Sequence, residues 1–115
     1  MKGLLLLAAV ALLGSEAAAQ IDEMKAEQAQ RAKKLYGECL AKETASLLER
    51  KYSEAAIAVA AKAMCPAQAQ QFRDAVMSYL AVRLPQIAPS DHVGAADQAI
   101  DAAIDDIVTS SVGKK

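Results

Sequence analysis

The sequence predicts an all-α protein: a small bundle of about four helices, with an antiparallel helical hairpin stapled by one disulfide. Three observations carry that prediction. Alanine supplies 27 of the 115 residues while only four are aromatic, a balance that favours helices over strands. The breakers are few, with only three prolines, and they fall where helices should end. The only two cysteines, Cys39 and Cys65, lie equally far from Tyr52 in a predicted turn, so a hairpin would set them at the same height.

The first nineteen residues read as an address. Met1 and Lys2 give a positive start, Leu4 to Leu13 form an unbroken apolar run, and Ala17 to Ala19 offer small side chains to a signal peptidase. The run is about half of the roughly 20 residues that span a bilayer. The expectation is therefore a cleaved secretory signal peptide over 1–19, then a single helical domain over 20–115. No cysteine follows the run to carry a lipid anchor, and no stable membrane insertion is expected after cleavage. The product would be exported, to the periplasm or the extracellular space.

From Gln20 to about Arg50 there is no proline, and Leu35, Cys39, Leu40, Leu47 and Leu48 recur at roughly helical spacing. This predicts one long helix with that core face. Ser53 is a good N-cap for a second helix over about Glu54 to Cys65, and Tyr52 and Ile57 are placed to form a hydrophobic staple across the cap. Phe72, Val76, Tyr79 and Leu80 mark a third helix over about Ala67 to Arg83. After Pro85 and Pro89, Ser90 or Asp91 is the expected cap of a fourth. Val93, Ala96, Ile100, Ala103, Ile104, Ile107 and Val108 run down one side of it, the cleanest periodicity in the chain.

Without the leader, 48 of 96 residues are apolar and 21 of those are alanine. Only 27 larger apolar side chains remain, which predicts a thin core where a covalent staple matters. An exported chain meets an oxidising compartment, so Cys39 and Cys65 are expected to pair. Closing that loop would stabilise the fold by roughly 3 kcal/mol. Redox chemistry is disfavoured by the lack of a C-x-x-C motif, and zinc by the lack of four ligands.

The net charge of −1 argues against a nucleic-acid partner, which would demand a strong basic excess. Asp97, Asp101 and Asp105 recur every fourth residue along the last helix with Asp106 beside them, and they form a possible interaction face. Like charges so spaced cost a few tenths of a kcal/mol per pair, so the row invites a compensating partner or a solvated setting. Arg31, Lys33 and Lys34 make a small basic patch expected to be solvated. His92, the only histidine, has no nucleophile and orienting group marked around it and reads as a surface residue. No cofactor, metal or catalytic constellation is indicated.

These readings predict a non-catalytic binding or interaction protein of a bacterial-type cell envelope, partnering an envelope protein or itself. A part of the Ile100–Ile104–Val108 stripe is expected to be available to such a partner. A stress chaperone is one form it could take, since protonating the acidic row at low pH would leave the bases uncompensated and loosen the bundle. The alternative is a carrier holding a small apolar ligand between helices, with Phe72, Tyr79, Met64 and Met77 as the lining.

Overall fold

Four helices make up the regular structure: α1 (Lys2–Glu49), α2 (Glu54–Ala61), α3 (Pro66–Arg83) and α4 (Pro89–Gly113). The computed structural model describes the backbone of residues 2–113 and the side chains of residues 20–113. The leader expected over 1–19 lies outside the residues described at side-chain level. Among the described residues, no helix is long and apolar enough to cross a membrane.

Each junction has a local cause. α1 ends without a glycine: the Tyr52 amide donates to the Leu47 carbonyl at 3.2 Å and the Lys51 amide to Leu48 at 3.0 Å. That pattern needs a left-handed residue, and Lys51 supplies it at φ 66°. Ser53 then caps α2 as predicted, its Oγ accepting from the Ala56 amide at 3.2 Å. α2 stops at Ala61, a turn sooner than the sequence suggests. Ala63 and Met64 tighten into three-residue hydrogen bonds, and Cys65 leaves the helix at φ 55° because the Pro66 ring disfavours a right-handed helical residue before it. Pro66 is the first residue of α3, where its missing amide costs nothing.

Pro89 opens α4 in the same way. This corrects the expected cap: Ser90 and Asp91 sit inside the first turn, and the Ala88 carbonyl accepts from the Asp91 and His92 amides at 3.0 and 3.4 Å.

The four helices form three rods. α3 runs antiparallel to α1, as the contact between Arg83 and Asp22 across 61 residues requires. α2 packs on α1 and α4 but not on α3, so α2 and α3 lie end to end as a middle rod broken at Cys65 and Pro66. α4 returns alongside both and runs in the same direction as α1. The expected hairpin is therefore α1 against this broken rod. The disulfide joins Cys39, ten residues before the end of α1, to the break itself, with Cα atoms 6.2 Å apart.

The core is thin, as predicted. Tyr36 and Leu40 from α1, Ile57 and Ala61 from α2, Phe72 from α3, and Ala96, Ile100, Ala103, Ile104 and Val108 from α4 are buried. Each large one contributes about 1.5–3 kcal/mol. The α4 stripe falls where its periodicity put it, with Ile107 half-buried and Val93 exposed at its start.

α1 departs from expectation. Leu35 is 48% exposed, while its neighbour Tyr36 is buried and stacks at a tilt on Phe72 with ring centroids 6.1 Å apart. Tyr36, Leu40 and Thr44, four residues apart, make the inner stripe, and Leu47 and Leu48 pack beside it. α3 contributes one fully buried side chain, Phe72; Val76, Tyr79 and Leu80 are half-buried.

Candidate interaction surfaces

α4 carries its aspartates past two different neighbours. Asp97 reaches α3, where its carboxylate accepts from Arg73 Nε at 3.1 Å. Asp101 and Asp105 line a groove between α2 and α4, floored by Ala55, Ala58, Ile104 and Val108 and edged by Glu54 and Lys62. Asp106 turns away from them into a second groove, between α1 and α4. The predicted face of four aspartates is thus divided. Three look toward the middle rod and one toward α1, because adjacent residues on a helix diverge by about 100°. Arg73 is the compensating base that the row called for. Both partners of that bridge are well exposed, so it is worth at most a few tenths of a kcal/mol.

The α1–α4 groove has a volume of about 510 Å³ and a floor of small or apolar residues, Gly37, Ala41, Ala103 and Ile107. A Cβ at Gly37 would stand 3.7 Å from Ile107 Cδ1, an ordinary van der Waals contact, so the floor has room for alanine there. Lys33 and Lys34 stand on its α1 side. The basic patch predicted as solvated is therefore partly a groove edge.

His92 is buried, not on the surface. Its Nε2 lies 3.2 Å from the Leu84 carbonyl just past the end of α3, which also accepts from the Ile87 amide at 3.2 Å. The ring joins the start of α4 to the end of α3, a structural task. Thr44 is the other buried polar side chain, at 0% exposure, and its Oγ1 has no hydrogen-bond partner. Burial pushes the Tyr36 phenol above its ordinary pKa; the nearby Arg73 guanidinium pulls it back and the Asp101 carboxylate pushes it further up.

Of the residues named for a ligand carrier, Phe72 is spent in the core against Tyr36, and Met64 packs on that core. Met77 and Tyr79 are half-buried on α3. The Ile100–Ile104–Val108 stripe is buried, with Ile104 and Val108 reaching the surface in the floor of the α2–α4 groove. Among the described residues, no three His, Cys, Asp or Glu side chains converge as a metal-binding group.

What the surface does offer was missed in the sequence. Ile21, Met24 and Leu35 are each close to half exposed and fall within about 60° of one another around α1. Val59 of α2 is 73% exposed. The signal was present in the spacing of Ile21, Met24 and Leu35, but Leu35 was assigned to the core.

No protein-family model, curated protein or solved structure matches this chain. Fold and surface define it by class: a disulfide-stapled bundle of three helical rods, with apolar side chains left on the outside of each.

Proposed function

We propose that this chain is a non-catalytic interaction protein, exported to the cell envelope, that binds its partner through the outer surface of its helices. The observation that carries the reading is the stripe of Ile21, Met24 and Leu35 on α1. Ile21 and Met24 lie one turn apart and Leu35 three turns further along the same helix face, so this face offers separated apolar side chains to a partner, in a protein short of core material. The Cys39–Cys65 disulfide fits an oxidising compartment, which supports export.

The test is capture of an envelope partner by cross-linking in cells, comparing the parent chain with Met24→Glu and Leu35→Glu together. Both positions are exposed, so the fold tolerates the change. The expected result is a discrete cross-linked species that the double variant loses. Cross-links that are absent, or indifferent to the two substitutions, would overturn the reading.

A further inference from the structure

The groove between α2 and α4 has two unlike walls. Its volume is about 710 Å³, and Ala55 and Ala58 of α2 with Ile104 and Val108 of α4 give it an apolar floor. Val59, 73% exposed, stands about 40° round α2 from Ala55, on the outer lip of that wall. The α4 wall carries Asp101 and Asp105, both exposed, and Glu54 closes the end nearest the start of α2. Three carboxylates therefore meet one base, Lys62. Among the described residues none of these four charges is in an ion pair; the two pairs are Arg73–Asp97 and Arg83–Asp22. Toward α3 the groove continues past Lys62, Asp101 and Ile104 to Arg73 and Asp97, whose charges already match. The unmatched negative charge belongs to the α2 half.

We propose that this groove receives a cationic amphipathic helix of a partner protein, at a surface that shares no residue with the α1 stripe. The walls decide the form of the occupant. Both are helices, whose backbone groups bond within their own turns, so an extended segment finds no sheet edge to join, whereas a helix brings its own hydrogen bonds. The rows Ala55–Val59 and Ile104–Val108, each spaced by four residues, are ridges of the kind another helix packs against. From Asp97 to Val108 the α4 wall runs about 16 Å, room for three turns. Charge decides the composition of the occupant. Apolar side chains on one flank meet Ala55, Ala58 and Val59. Lysines or arginines on the other meet Asp101 and Asp105, relieving the repulsion between like charges four residues apart. The same groove of a second copy is a poorer occupant, since it would set carboxylates on carboxylates.

The probe is a synthetic peptide of leucine and lysine alone, about four turns long, with its leucines on one helix face. Calorimetric titration of the parent chain is expected to give saturable one-to-one binding. Asp101→Lys with Asp105→Lys should weaken it at least about tenfold. Glu38→Lys with Asp106→Lys makes the same change of net charge at exposed positions of the α1–α4 groove, and it should stay within about threefold of the parent. A peptide of the same composition with its leucines scattered round the helix should bind at least about tenfold more weakly. No binding by the parent, an equal loss in both charge variants, or equal binding of the scattered peptide overturns the proposal. Hydrogen exchange locates the site without any substitution, and it decides if circular dichroism finds the lysine variant unfolded. The peptide is expected to slow exchange in α2 and over Asp101–Val108; slowing confined to α1 overturns the proposal. Binding lost in Met24→Glu with Leu35→Glu assigns the peptide to the α1 stripe, which overturns this groove alone and leaves the broader reading standing. A parent that self-associates and is dispersed by Asp101→Lys with Asp105→Lys gives the groove to a second copy and overturns the proposal as well.

Discussion

The two pieces of the middle rod are held by opposite means. α2 is apolar at seven of its eight positions, yet it buries only Ile57 and Ala61 and shows Val59 to solvent. α3 is far more polar, and it is anchored by the buried Phe72 ring and by exposed ion pairs from Arg73 to α4 and from Arg83 to α1. A helix's hydrophobicity is thus a poor guide to how firmly it is seated. α2, mostly alanine with Ile57 as its one large buried side chain, is held also by its Ser53 cap at one end and the covalent staple just past the other. α3 depends on one large side chain.

The comparison breaks most sharply at Phe72. Phe72→Ala should cost about 3–5 kcal/mol in urea unfolding, because it removes the one fully buried side chain of α3 and leaves Tyr36 facing a void. A loss below about 1 kcal/mol would show that α3 is seated by something else. Replacing Cys39 and Cys65 together by serine should cost about 3 kcal/mol. That loss should fall unevenly: hydrogen exchange is expected to rise first in α2, while α3 keeps its protection. Equal loss in both would erase the distinction.

Two smaller changes sharpen it. Ser53→Ala removes the side-chain acceptor at the start of α2 and should cost about 1 kcal/mol. Asp97→Asn should cost no more than about 0.5 kcal/mol, since the bridge to Arg73 is solvated, and its effect should vanish at high salt. The smallest effect at neutral pH belongs to Tyr36. Its phenol has a raised pKa in the folded chain, so the folded state keeps a proton that the unfolded state loses above about pH 10. The stability this contributes is complete below that pH and is lost as pH climbs through the folded value. The urea midpoint should fall above pH 10 in the parent and fall less in Tyr36→Phe.

The features legible in the sequence were those set within one helix or by covalent bonding. The α4 stripe could be read because Ala96, Ile100, Ala103, Ile104 and Val108 repeat on one face with aspartates opposite. The cysteine pair could be read from its symmetry about the turn. What could not be read depended on where another helix lay. Leu35 and Tyr36 are equally plausible core residues until α3 arrives and Phe72 meets the ring of Tyr36. Thr44 gave no apolar signal at all. His92 is buried where the start of α4 meets the end of α3, beside the carbonyl of Leu84 eight residues earlier, a neighbour its own sequence context does not mark. Which neighbour each aspartate meets, Arg73 for Asp97 and the α1–α4 groove for Asp106, depends on where α3 and α1 lie against α4.

The place of the staple also has a consequence in time. Both cysteines lie within the first 65 residues, and Pro66, next to the second of them, is the first residue of α3. As the chain emerges from its N-terminus, the loop from Cys39 to Cys65 is complete before any of α3 or α4 has appeared. Oxidation at that stage would set the origin of α3 against the C-terminal part of α1 before α3 has a single turn. The remaining fifty residues would then be laid onto a template already closed, and the order of emergence would match the order of assembly.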